Sequence, residues 1–299
     1  MKKSTNFNKL SMDDRIFVCC NNAILVLISL LVLYPIVYVI SASFSDPWAI
    51  LSGKVWLFPV NFNVKAYTVV FQYQKVWLGF VNSFIYMTVG TMINIIMTIF
   101  AAYPLSRKDF FGGTLWSFVF AFTMWFSGGM IPTYLLVKDF GLINSRWAMI
   151  LPSALTIYNV IVTRTYFQTS IPYEIFEAAR IDGCNDFKFL RKIAIPLATP
   201  VIAVIALFYA VGHWNSFMPA FLYLQDYKKF PIQIILREIL IMNASDQIAA
   251  NLDIVDESQQ LSEQLKYALI VVASLPTVIL YPFAQKYFIK GVMLGAVKG

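Results

Sequence analysis

Glu177-Ala178-Ala179-Arg180-Ile181-Asp182-Gly183, followed nine residues later by Ile193-Ala194-Ile195-Pro196, is a polar interruption in a chain that is otherwise largely apolar. Just upstream, Ser170-Ile171-Pro172-Tyr173-Glu174 reads as a helix start, with Pro172 in the first turn and Glu174 near the positive end of the helix dipole. The helix carries through Ala178 and Ala179 and stops at Gly183. Asn185-Asp186 then begin a second short helix that Pro196 closes. Ala179 and Gly183 are four apart and Ala178 adjoins them, so the spacing predicts a nearly flat face that another backbone can approach. Ile175, Phe176 and Ile181 supply apolar contact beside it, and Arg180, Lys188, Arg191 and Lys192 supply charge. The simpler readings are a surface Glu177–Arg180 pair, worth about 0.2–0.5 kcal/mol, and a plain glycine cap at Gly183. Spacing and position together favour a docking helix.

The 299 residues are 59% hydrophobic and 13% charged, with mean hydropathy +0.67. Soluble domains are about a quarter charged, so the chain belongs to the membrane class. Six apolar stretches, 16–44, 77–106, 113–137, 147–163, 197–224 and 267–285, approach or exceed the roughly 20 helical residues that cross a bilayer. The predicted fold is therefore an all-α membrane protein of six spans with the docking helix between spans 4 and 5. The first stretch follows Lys2 and Lys3 and is much longer than a signal-peptide core of about 7–15 residues, which makes it an uncleaved anchor. Most of the Lys and Arg fall on the side that holds both termini, so both termini are expected in the cytoplasm. The expected organisation is a cytoplasmic segment 1–15, a membrane domain 16–288 and a cytoplasmic tail 289–299. The membrane domain holds a docking loop 168–196 and an extracytoplasmic loop 225–266. The net charge of +7 reads as topology and anionic-lipid contact, without nucleic-acid binding. Cys19, Cys20 and Cys184 support neither a disulfide framework nor a metal site.

Two outer segments are substantial. One, near 45–76, holds Asp46-Pro47, Gly53, Pro59 and the aromatics Trp48, Trp56, Phe58 and Tyr67. The other, 225–266, is acid-rich, with Asp246, Asp253, Asp256, Glu257 and Glu263. It is either a contact surface for an extracytoplasmic partner or a solvated lid. In the third span, Ser127-Gly128-Gly129-Met130-Ile131-Pro132 breaks the helical ladder. Inside lipid such a break survives only where the freed backbone faces protein or a water-filled cavity, so it marks a transport path or a kink.

Glu-Ala-Ala, three residues, Gly, nine residues, Ile-x-Leu-Pro is the signature loop of the membrane subunits of bacterial ABC importers, and residues 177–196 resemble it with one departure, Ile195 in place of Leu. Segments 178–183 and 192–197 resemble the carbohydrate-uptake, maltose-type branch. Segments 128–144, 144–167, Gly212-His213-Trp214-Asn215-Ser216, Arg237-Glu238-Ile239-Leu240 and 285–291 are similar to an oligosaccharide sub-branch. The resemblance implies a coupling role for Glu177, Ala178, Ala179, Asp182, Gly183, Ile193 and Pro196, seated on a dimer of cytoplasmic ATP-binding subunits. It implies a second, homologous permease to complete the pore and an extracytoplasmic sugar-binding protein outside. The tail at 295–299 is a secondary contact for the ATPase.

With these boundaries no Asp, Glu, Lys or Arg lies inside a span, which disfavours the alternative, an ion-coupled secondary transporter of a small solute. Nor is there a Gly-x4-Gly-Lys-Ser/Thr loop. The chain is therefore expected to bind no cofactor itself, to be no enzyme, and to leave ATP and Mg to the partner ATPase in the bacterial cell membrane. Sugars are held by ring stacking and neutral hydrogen-bonding groups, so candidate pathway residues are Asn82, Tyr86, Asn94, Trp125, Tyr158, Asn159, His213, Trp214 and Asn215. His213, the only histidine, either meets substrate or packs between helices as a satisfied polar group.

Overall fold

The computed structural model describes residues 11–241 and 258–295, and every regular element among them is helical. The acidic outer-loop residues Asp246, Asp253, Asp256 and Glu257 lie outside the described residues, as does the end of the C-terminal tail. Among the described residues, three helices are long and apolar enough to cross a membrane: α1 (Met12–Ser43), α4 (Gln74–Ser106), and a stretch of α14 (Ser258–Gly295) over Leu261–Pro282. Ser11 caps α1 by accepting from the Asp14 amide at 3.2 Å. Most of its leucines, isoleucines and valines are exposed within the chain. An apolar surface of that extent is stable only under lipid or a partner.

The other expected spans are interrupted, and the sequence chemistry explains the breaks. α5 (Gly113–Trp125) and α6 (Met130–Asp139) meet at 112° across the Gly128-Gly129 break, where Gly129 adopts φ +86°. The stretch 147–163 is not one helix, contrary to the sequence expectation. Two 3₁₀ turns, Arg146–Met149 and Leu151–Ser153, precede α7 (Ile157–Ser170). Its 14 residues reach about 21 Å, short of the hydrocarbon thickness of about 30 Å. Pro152 has no amide proton to give an α-helical ladder at that point. The helix also carries Arg164, whose Nε donates to the Leu105 carbonyl at 3.0 Å. The stretch 197–224 divides into α11 (Thr199–Trp214) and α12 (Phe217–Tyr223), because Pro219 cannot continue a ladder through Asn215. Among the described residues, counting α5 with α6 and Asp186–Leu197 with α11 as one crossing each yields up to five spans by length and composition.

Among the described residues two compact units emerge, 11–72 with 239–241 and 258–272, and 73–238 with 273–295. In the first, α1 is followed by α2 (Pro47–Leu51), which Asp46 caps through the Trp48 amide at 3.1 Å, and by α3 (Lys65–Gln72). Gln264 is fully buried there, donating to the carbonyls of Ser43 (3.1 Å) and Asn63 (3.0 Å). The second unit is organised around α4, which packs chiefly on α11 and α7. Gly79 lets α13 (Ile232–Ile241) come close, since a Cβ there would stand 3.2 Å from the Ile232 backbone.

At one end of α4 a polar clamp closes the unit. Asn82 donates to the carbonyls of Lys228 (2.8 Å) and Phe230 (3.1 Å) and accepts from Arg146 (3.1 Å). Tyr86 donates to Lys229 O at 2.7 Å. Nearby Asn144, at φ +57°, receives the amides of Gln225 (3.2 Å) and Asp226 (3.0 Å). Replacing Asn82 by Leu keeps the volume and strands these partners. We expect a loss of about 1–3 kcal/mol, read as a lower melting midpoint of the detergent-purified protein with membrane insertion retained.

Candidate docking surface and transport cavity

Helix α8 (Tyr173–Ile181) begins after Pro172 and carries Glu174 in its first turn. At its end the Cys184 amide donates to Ala179 O (2.9 Å) and the Gly183 amide to Arg180 O (3.0 Å), with Gly183 at φ +72°. That is a Schellman closure. A Cβ on Gly183 would meet nothing within 4 Å, so backbone handedness, not space within the chain, requires glycine here. Asn185 accepts from the Lys188 amide (2.8 Å) and opens α9 (Asp186–Phe189). The chain then winds through a π-helical turn, Leu190–Ala194, into α10 (Ile195–Leu197). Pro196 sits in the first turn of α10 and does not terminate the second helix; the 81° bend into α11 follows at Ala198.

One face of α8 is locked into the unit. Phe176 is 2% exposed and meets the Phe189 ring edge-on at 5.2 Å, with the Arg107 guanidinium 3.0 Å from its ring centroid. Asp109 pairs with Arg107 (3.3 Å) and with Arg180 (3.4 Å), so Arg180 is held by the α4–α5 loop and not by Glu177. Two sequence expectations change accordingly. Phe176 and Ala179 face the core with Tyr103, Phe167 and Val201 and are not on the open face. Glu177, Ala178, Asp182 and Gly183 are exposed, as is Ile181 at 87%, while Ile193 is half-buried and Pro196 exposed. Helical periodicity puts Glu177, Ala178, Ile181 and Asp182 on one arc.

A cavity of about 620 Å³ opens between the start of α7, the end of α11 and α12, lined by Thr156, Tyr158, Asn159, Phe208, Gly212 and Asn215 among others. Its walls are tied to α4. Tyr209 shares a hydrogen bond with Thr98 (2.7 Å), and its phenol oxygen accepts from the Thr156 amide (3.2 Å). Asn94 bonds His213 Nε2 through Oδ1 (2.6 Å) and donates to the Ser153 carbonyl through Nδ2. His213 also lies directly over Gly90, where a Cβ would stand 2.6 Å from Cε1. His213 thus serves as a packing group that also borders the cavity.

Of the expected pathway residues, Tyr158, Asn159, His213 and Asn215 come together here. Asn94 sits behind them in the tie. Asn82 and Tyr86 belong to the clamp. Trp214 is buried, donating to Ala273 O at 3.1 Å with the Phe84 ring edge-on at 5.4 Å. Trp125 stands 82% exposed at the end of α5. Thr156, Phe208, Tyr209 and Gly212 escaped the sequence reading. The available signal was Tyr209, one helical turn before His213 on the same face.

The sequence matches the model of the binding-protein-dependent transport system inner membrane component family over residues 14–294. The chain belongs to that family. It is a membrane permease subunit of an ABC importer, and the ion-coupled alternative is set aside. The permease is 41% identical over 288 residues to the polygalacturonan/rhamnogalacturonan transport system permease protein YtcP of Bacillus subtilis, covering 96% of this chain and 100% of that one. It is 30% identical over 251 residues to the melibiose/raffinose/stachyose import permease protein MelC of the same organism, covering 82% and 84%. Its structure matches a chain from the crystal structure of a bacterial ABC transporter involved in the import of the acidic polysaccharide alginate. That match has TM-score 0.87 and 36% identity over 93% of this chain and 99% of that one.

Two substitutions test the geometry. Phe176→Ala removes the ring that seats α8 and is expected to cost about 3–5 kcal/mol, seen as a lower melting midpoint and faster proteolysis within residues 168–196. Gly90→Ala forces the His213 ring to move, for about 1–3 kcal/mol. Adding His213→Ala to it should cost less than the two single losses summed, and strict additivity would contradict the contact.

Proposed function

We propose that this permease forms half of the translocation pathway for an oligosaccharide built on uronic acids, with α8 as its coupling helix. The observation that carries the proposal is a helix with one face locked by Phe176 and the other, Glu177, Ala178, Asp182 and Gly183, open. A rigidly seated helix with an open flat face can transmit a push. A dimer of ATP-binding subunits, holding ATP and Mg, would receive α8 in a cleft. Glu177 would engage it electrostatically, and Ala178 and Gly183 would permit close approach. Ala179 would act from within, and Ile193 and Pro196 would hold the loop's course. Because Phe176 and Phe189 share a core with Tyr103, Phe167 and Val201, displacement of α8 would carry the inner ends of α4, α7 and α11 with it. Their rigid-body shift would open the cavity alternately to each side.

In this reading the chain crosses the bilayer six times with both termini cytoplasmic. The fourth crossing is compound, the two 3₁₀ turns plus α7, and the fifth is α11 with α12. A second, homologous permease supplies the other half of the path, and an extracytoplasmic sugar-binding protein docks on the outer loops. Polygalacturonan and alginate are both uronate polymers, and relatives named for them are 36–41% identical to this chain. Among the described residues, those lining the cavity include hydroxyls, amides and aromatic rings but no Asp, Glu, Lys or Arg. Such walls bind a sugar weakly enough to let it leave, as conduction requires.

The test is vesicle reconstitution with the partner permease, ATPase and binding protein, comparing ATP-dependent uptake of a labelled oligogalacturonide and of raffinose. Uptake of the acidic sugar is expected. Uptake of raffinose alone would overturn the substrate class, and uptake without ATP or partners would overturn the importer reading. Gly183→Asn separates docking from capping, since Asn tolerates the left-handed conformation. If the open face docks, Asn lowers transport by roughly tenfold, equivalent to about 1.4 kcal/mol. If Gly183 only caps, Asn is near normal and Val alone fails.

A further inference from the structure

Helix α7 starts at the edge of the cavity, and like any α-helix it leaves its first amides without an intrahelical partner. Its preceding residue, Thr156, has extended backbone and a side chain that makes no capping hydrogen bond. The Thr156 carbonyl accepts from the Val160 amide at 3.1 Å, and the Thr156 amide is taken by Tyr209. Among the described residues, the amides of Ile157, Tyr158 and Asn159 have no acceptor. A helix of 14 residues concentrates about half a positive charge at that end. The second observation is independent of the first. Asn159 is 3% exposed and lines the cavity, and its side-chain amide has no hydrogen bond among the described residues. Its amide is not enclosed but opens to the cavity, where its donors stand beside the helix end. Among the described residues no Lys or Arg lines the cavity to compete, and low polarity around it strengthens the attraction for an anion.

We infer that the first turn of α7 and the Asn159 amide form a carboxylate subsite, the point at which this half of the pathway recognises an acidic sugar. The inference rests on the uronate reading above and deepens it. A carboxylate would accept from the amides of Tyr158 and Asn159 and from the Asn159 side chain. The sugar ring would lie against Tyr158, which is 53% exposed with its ring 6.5 Å from that of Phe208. Broken membrane helices direct their N-termini at anionic groups in this way. Donors without a full charge suit a pathway, because the anion is drawn in and still released. The ties Thr98–Tyr209–Thr156 and His213–Asn94–Ser153 act as positioning groups that hold the helix end at the cavity.

The experiment uses the complete reconstituted importer and two substrates of the same chain length, an oligogalacturonide and its methyl ester. Asn159→Asp places a negative charge where the carboxylate would sit, yet an acidic group in the first turn favours the helix itself. The melting midpoint should therefore not fall. The expected result is a drop in the acid-to-ester uptake ratio of roughly tenfold or more for Asn159→Asp, and of severalfold for Asn159→Leu, which only removes donors. An unchanged ratio in Asn159→Asp, with the wild type importing the acid, would overturn the subsite and leave the uronate reading standing. A wild type that imports neither form would remove the uronate reading and the subsite with it.

Discussion

One face of α4 holds the larger unit together. Gly79, Asn82, Tyr86, Gly90, Asn94 and Thr98 recur at three- and four-residue intervals with Ser83 beside Asn82, and all the polar members are completely buried. Between membrane helices there is little hydrophobic drive, because lipid is as apolar as leucine, so close backbone approach and polar ties decide the packing. The glycines supply the approach, Gly79 to α13 and Gly90 to His213. The polar residues supply the ties.

Those ties go mostly to backbone. Asn82 and Tyr86 donate to carbonyls in the segment 228–230, Ser83 accepts the Ile232 amide at 2.9 Å, and Asn94 donates to Ser153. Every one of these partners lies in or beside a break between helices. A broken span frees carbonyls and amides that cannot be left bare in a low-polarity interior. The unbroken helix α4 therefore satisfies the backbone that the interrupted segments expose. This allows α7 to begin beside a cavity, where its first amides stay available.

The other end of α4 meets α8 and the loop around it. Arg107 lies over Phe176 and pairs with Asp109, which also holds Arg180. The same helix that frames the cavity thus fixes the face of α8 that cannot move independently. Force applied to the open face of α8 and the shape of the cavity are joined through one continuous element, which is the physical condition for coupling two sites.

Membrane class, the break at Gly128-Gly129 and the helix–glycine–helix course of 173–196 were all legible in sequence. They depend on composition and on interactions within a few residues, such as the left-handed cap at Gly183 and the Asn185 cap. Which polar residues line a path was not legible. Asn82, Tyr86 and Trp214 read as pathway groups because they are polar or amphipathic within apolar stretches, yet each bonds a carbonyl 59 to 148 residues away. The inward turn of Phe176 and Ala179 was hidden for the same reason, since the core that buries them is assembled from α4, α7 and α11. Sequence alone therefore determined the membrane class, the Gly128-Gly129 break and the start and glycine stop of α8, because composition and local backbone chemistry control those points. Only the tertiary structure decided which donors remain free, because that depends on distant segments meeting to satisfy all the others.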